Sequence, residues 1–262
     1  MTSFVMMRRG SLACLVIGFA MLWVPVGQHD FLVENWMKVG TFMAPFLVLM
    51  AFAFRSEQAN SSGPDVRFVS AMLLLAYIIH QFEEHWVDLY GNTYAFKPYL
   101  NDMLLDRLGG HEGSPQALTD AGVFVINTSL VWLVAMLAIW RGSSHLFPTL
   151  CMTSIVFVNA LSHTGAALLN GSYNPGLLTA IIVFLPLALS VSVSFGRSGV
   201  ASFREATASV IWAVLAHAIM ILGMISTRWL MLLPEAAYFV ILIAWSIMPV
   251  FIFYRPVGAP SE

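Results

Sequence analysis

Apolar runs of about twenty residues recur along this chain, and no other feature constrains its fold as much. A helical run of that length matches the hydrocarbon thickness of a bilayer. Eight such runs stand at roughly 11–27, 37–54, 67–89, 119–140, 147–169, 175–195, 206–226 and 230–253. Only 10% of the residues are charged, whereas about a quarter are charged in a soluble domain. The expected fold is all-α: a polytopic transmembrane helix bundle of about eight spans, with seven the alternative, forming one membrane domain over 1–262. Arg8 and Arg9 precede the first run, but no small-residue cleavage site follows it, so a retained helix is expected rather than a removed signal. Phe31 to Trp36 read as a short interfacial piece ahead of the second span.

Basic residues in short loops set orientation. With the N-terminus inside, Arg8, Arg9, Arg55, Arg67, Arg141, Arg197, Arg204 and Arg255 fall on the cytoplasmic side, against Lys38, Lys97, Arg107 and Arg228 outside. Both termini are therefore expected in the cytoplasm, and a bacterial inner (plasma) membrane is the expected location. The long connection 91–118 then becomes an extracytoplasmic loop. Its stretch NDMLLDRLGGHEG is too polar to span and is expected to hold a short surface helix, of the kind that forms lids. No basic run suggests nucleic acid, no glycine-rich phosphate loop is present, and Cys14 and Cys151 give neither a metal spacing nor a disulfide framework. Membrane lipids and a hydrophobic small molecule are the expected partners. Nothing in the sequence sets an oligomeric state.

Against that apolar background, LLLAYIIHQFEEHWVDLY places His80, Glu83, Glu84, His85 and Asp88 within nine residues. At about 100° per residue, Glu84 falls about 40° from His80, Asp88 about 80° and Glu83 about 300°. Phe82, Trp86 and Leu89 take the opposite arc. A charge at the centre of a spanning helix costs about 2.5–3.5 kcal/mol, so this face must point into the bundle. His85 and Asp88, near the helix end, fit a boundary-anchor role. His80, Glu83 and Glu84 fit that role poorly, since Ser, Asn or Thr would hold helices together at lower cost.

Two further polar sets fall at the same depth. In NALSHTGAALLNG, Asn159, Ser162, His163 and Asn170 share one helical face. In GSYNPGLLTA, Asn174 reads as an N-cap, Pro175 as the first helical residue and Gly176 as a site of close backbone approach. A well-made helix start would explain those three without function, and Thr179 could simply bond its own backbone. Alternation of the spans nevertheless places all these sets, with Asp120 and Asn127, in one leaflet. Scattered structural polarity would not require that agreement.

These stretches carry a resemblance. His80-Gln81-Phe82-Glu83-Glu84 is similar to the HxxEE motif of the HXXEE family of membrane proteins, which has no established reaction. Asn159 to His163 and Pro175 to Thr179 resemble that family's NxxxH and PGxxT patterns. The resemblance runs from about the third span to the sixth or beyond. It implies that His80, Glu83, Glu84, Asn159, His163, Pro175, Gly176 and Thr179 belong to one site, the active site of a membrane enzyme, and it supplies no substrate.

The HxxEE spacing differs by one residue from the HxxEH of inverted zincins. By that analogy His80 and Glu84 are metal ligands and Glu83 the general base. His163 completes a set of two histidines and a carboxylate with one open position. Such a set suits a divalent metal, zinc for hydrolysis or iron for oxidation. Asn159 and Thr179 would then orient substrate or stabilise an oxyanion, with Asn174, Pro175 and Gly176 on the substrate-binding edge. Two alternatives stay open. Glu83 and Glu84 could act without metal as an acid–base pair that isomerises a lipid or transfers groups on it. The same carboxylates could instead serve a proton-coupled transporter, with His217 extending a relay inward.

Overall fold

The computed structural model describes residues 30–57, 65–108, 113–142 and 145–253. All the extended elements among them are helices: α1 Asp30–Glu57, α2 Val66–His85, α3 Phe96–Leu108, α4 Asp120–Arg141, α5 Phe147–Asn170, α6 Leu177–Arg197, α7 Phe203–Arg228 and α8 Glu235–Phe251, whose last turn is 3₁₀. Six of the described helices, α1, α2 and α4 to α7, are long and apolar enough to cross a membrane. The chain is a helical membrane protein. The expected first span, 11–27, lies outside the described residues, as do Cys14 and residues 109–112 of the long loop.

Several boundaries differ from the sequence reading. Phe31 to Trp36 are the opening turns of α1 rather than a separate interfacial piece. The expected eighth span is the shorter α8, because Pro234 sets its start and Pro249 lies in a closing 3₁₀ turn. Helix α2 stops at His85, not at 89. The chain then turns through Gly91 into a Val87–Thr93 bridge, and Asp88 accepts from Tyr90 N (2.9 Å), Asn92 N (2.8 Å) and Asn92 Nδ2 (3.0 Å). Asp88 therefore holds a turn and does not share the helical face of His80.

Burial separates inner from outer helices. In the most apolar window of each helix, 83% of α4 and 61% of α2 are buried, against 28% of α1, α6 and α7. Helix α2 packs against α1, α4, α5 and α6, so its polar face is enclosed on several sides. The outer helices leave Phe42, Phe46, Phe52, Leu189 and Leu222 exposed, an apolar surface suited to lipid rather than water. Local signals set the helix starts: Asp65 caps α2 through Arg67 N and Phe68 N, and Ser202 with Glu205 forms a capping box on α7.

The loop at 91–118 carries α3, as its sequence suggested. This helix lies over the polar end of the bundle. Phe96 stacks edge-on against His85 (5.1 Å), and Asn101 fixes the return of the chain by bonding Leu118 through both its N–H and its carbonyl.

Candidate metal centre

The histidine, the two glutamates and the two downstream polar sets converge at one point. His80 is 0% exposed, Glu84 5%, Glu83 6% and His163 7%. Three helices supply them: α2 gives His80, Glu83 and Glu84, α5 gives His163, and the start of α6 gives Thr179.

Glu83 and Glu84 are neighbours in sequence but face different partners. Glu83 spans the gap to the N-terminus of α6. Its Oε1 accepts from Leu178 N (3.1 Å) and Tyr173 OH (2.9 Å), and its Oε2 accepts from Thr179 N (2.7 Å) and Thr179 Oγ1 (2.5 Å). A carboxylate there satisfies N–H groups that a helix start leaves open and sits in the favourable end of its dipole. Burial, followed by the Glu83 carboxylate, raises the Tyr173 phenol above its ordinary value, so it stays a donor.

Glu84 instead sits among three imidazoles. His80 Nε2 lies 3.5 Å from its Oε2, His85 Nε2 3.0 Å from the same oxygen, and His163 Nε2 3.3 Å from its Oε1. The surrounding bonds assign the ring protons. Thr179 gives its single hydroxyl proton to Glu83, so its lone pair receives His80 Nδ1–H at 2.9 Å. Asn174 Nδ2 donates to the His163 carbonyl (2.9 Å), which turns its Oδ1 toward His163 Nδ1 at 2.6 Å. Both rings thus carry hydrogen on Nδ1 and aim Nε2 toward Glu84. His80 Nε2 is buried without a hydrogen-bond partner.

A lone pair facing a carboxylate is repelled unless a proton or a metal cation lies between them, and the spacing fits a metal. Metal–ligand bonds of about 2.0–2.2 Å in tetrahedral array separate ligand atoms by about 3.3–3.6 Å. The ligand atoms of His80, Glu84 and His163 all lie within 4.8 Å of one another, a group that could hold a metal ion. Fixing the far nitrogen of each histidine is also how metal sites orient their ligands.

Gly176 permits this arrangement. Its φ is +93°, and a Cβ there would stand 2.8 Å from His80 Cε1 and 2.9 Å from His163 Cε1. It occupies the N-cap position of α6, so the expected N-cap, Asn174, is corrected: its side chain serves His163 instead, while its carbonyl accepts from Leu177 N (3.0 Å). Pro175 precedes that glycine within the turn and is not the first helical residue.

The remaining expected positions divide. Asn159 donates to Tyr77 OH (3.1 Å), and Tyr77 packs edge-on against His80 at 5.9 Å. The Asn159 Oδ1 is buried and unpartnered, and the residue lines a cavity that Glu84 also lines. Asn170 joins Arg107 and Tyr99 and stays apart from the cluster, as does Asp120, which pairs with Lys97. Ser162 bonds back to Val158 O (2.9 Å).

Sequence reasoning placed His85 at a membrane boundary, but it is 5% exposed and touches Glu84. A polar chain reaches the same ring nitrogen from α4. Trp132 Nε1–H donates to Gln81 Oε1 (2.9 Å), Gln81 Nε2 donates to Asn127 Oδ1 (3.0 Å), and Asn127 Nδ2 faces His85 Nε2 at 3.2 Å. Asn127 opens a π-helical stretch of α4, Asn127–Leu133, and a second such stretch, Ala180–Phe184, follows Thr179. Departures of this kind from α geometry are frequent at functional sites.

Residues 71–191 match a protein-family model described as "Protein of unknown function with HXXEE motif", and that range contains every residue of the cluster. No curated protein and no solved structure matches the chain.

Proposed function

We propose, for a chain whose residues 71–191 belong to the HXXEE family, that His80, Glu84 and His163 hold one divalent metal ion, zinc or iron, in a membrane-embedded enzyme acting on a hydrophobic small molecule. The observation that carries this reading is the pair of Nδ1-anchored histidines whose Nε2 atoms stand 3.3 and 3.5 Å from the two oxygens of one buried carboxylate. Two histidines and a carboxylate with an open position are the donor set of hydrolytic zinc and non-haem iron sites. Such an ion supplies Lewis-acid polarisation and activation of water.

The chain's own groups divide the remaining work. Thr179 and Asn174 hold the two histidines in one tautomer. Asn159 offers a carbonyl oxygen to substrate. His85 braces Glu84 from the side of α4. Glu83, with four donors on its two oxygens, acts as a positioning residue that fixes Thr179, and this is a better account of its surroundings than the base role suggested by the inverted-zincin analogy. The same four bonds weigh against a metal-free pair in which Glu83 and Glu84 exchange protons.

A lipid extract offered to the purified protein tests the enzymatic reading. The metal-loaded wild type, the chelated wild type and a Glu84→Gln variant are incubated with the extract, and mass spectrometry follows every lipid species. The expected result is a species consumed and another formed with the loaded wild type alone. Identical lipid profiles in all three samples, with metal bound to the first, would contradict an enzymatic role on membrane lipids.

A further inference from the structure

A cavity of about 190 Å³ adjoins the cluster. Glu84, His85, His163 and Asn159 lie on its wall, and Met103, Leu130, Ile155 and Met220 represent the apolar remainder. Sites that enclose a drug-sized ligand occupy about 300–1,000 Å³, so this space takes one arm of a molecule and leaves the rest outside.

The cavity's lining reaches the outer surface on α5, beside α7. Near the start of each helix, Ser154 Oγ and Ser209 Oγ bond at 2.8 Å and hold the pair together. The cavity residues lie further along both helices: Asn159, Ser162, His163 and Ala166 on α5, and His217, Met220 and Ile221 on α7. Ser162 both lines the cavity and is exposed, and its neighbour Leu161 is 50% exposed on the apolar outer surface. A Cβ added to Gly165 would meet nothing within 4 Å. Small side chains at Ser162, Gly165 and Ala166 thus leave room on α5 between the cavity and the outer surface.

Resting on the metal-centre reading above, we infer that the chain opens laterally here, between α5 and α7, and admits from the bilayer an acyl-chain amphiphile whose head carries an N–H or O–H donor. The head reaches Glu84 and His163, the first part of the chain fills the apolar cavity, and the remainder passes between α5 and α7 into lipid. Asn159 Oδ1 selects the donor: it is buried, has no partner, and can only accept.

Palmitamide carrying a mid-chain diazirine tests this, with the matching methyl palmitate, which has no donor, as its comparison. The full-length protein in nanodiscs is irradiated with each probe and the labelled peptides are identified. The amide is expected to label Met103, Met220 and Ile221 beyond the lipid-facing background at Leu189. Ala166→Trp, which fills that opening, should abolish the cavity label and leave the Leu189 label intact, and Ser162→Phe should do the same. Asn159→Leu should remove the advantage of the amide over the ester. Label confined to Leu189 and similar outer positions in the wild type, or cavity label unchanged in both filled variants, overturns the inference. Metal content measured on the same samples separates the two proposals. Cavity label without metal leaves the portal standing and removes the metal centre, whereas metal without cavity label removes the portal alone.

Discussion

Gly176→Ala is expected to strip the site of metal and destabilise the fold together. Two independent costs meet at this residue. A left-handed backbone at φ +93° costs a residue with a Cβ about 1–2 kcal/mol. The added carbon would also stand 2.8 and 2.9 Å from the two liganding rings, and overpacking of this kind costs about 1–3 kcal/mol. The rings are the groups that can move, so strain is relieved at the expense of their aim at Glu84. Metal affinity should fall by at least about 10–100-fold, the loss typical of a disturbed outer shell, and the melting temperature should drop by several degrees. Gly165→Ala is the control, because its added carbon meets nothing within 4 Å. Full metal content and an unchanged melting temperature in Gly176→Ala would show that the close packing of His80, His163 and the turn is not required.

Glu83→Ala and Glu84→Gln should fail in different ways, although the two residues are adjacent. Removing the Glu83 carboxylate strands Tyr173 OH, Leu178 N and Thr179 N. Each buried donor left unsatisfied costs about 1–3 kcal/mol, so a total loss of about 3–5 kcal/mol is expected even where some find water. The Thr179 hydroxyl, no longer committed to Glu83, is left with Gly176 O at 3.2 Å and His80 Nδ1 at 2.9 Å as acceptors. Donation to His80 Nδ1 moves the His80 proton to Nε2 and blocks the ligand atom, so the His80 tautomer is no longer fixed. Glu83→Ala should therefore lower both stability and metal content. Glu84→Gln keeps the size of the side chain and leaves the α6 cap untouched. It should lose metal while thermal unfolding stays near that of the wild type. A stable Glu83→Ala protein with full metal would contradict the positioning role and reopen Glu83 as the base.

The periodicity of α2 made His80 and Glu84 legible as a pair, since residues one turn apart share a face on any helix. The convergence with His163 and Thr179 was legible from span alternation, which set their depth without contacts. Partners across helices were not legible. Glu83 and Glu84 differ by about 100° around α2, enough to send one to α6 and the other to the histidines, but no local pattern says which helix stands on either side. His85 was misplaced for the same reason: its position near a helix end suggests a boundary, and Trp36 of α1, Phe96 of α3 and the Trp132–Gln81–Asn127 chain, which come from other helices or reach across to α4, bury it. Asn174 followed the statistics of helix starts, yet the tertiary demand of His163 outweighed them and Gly176 took the cap position. Hydropathy likewise found α8 but overstated its length, because apolar windows do not register where Pro234 and Pro249 bound a helix.

Elemental analysis of the detergent-purified protein, wild type beside His80→Ala and His163→Ala, tests the central claim most directly. The account predicts near one zinc or iron per chain in the wild type and its loss in each variant, with all three proteins folded. A folded wild type that binds no divalent metal even after reconstitution, or variants that retain the full complement, would contradict it.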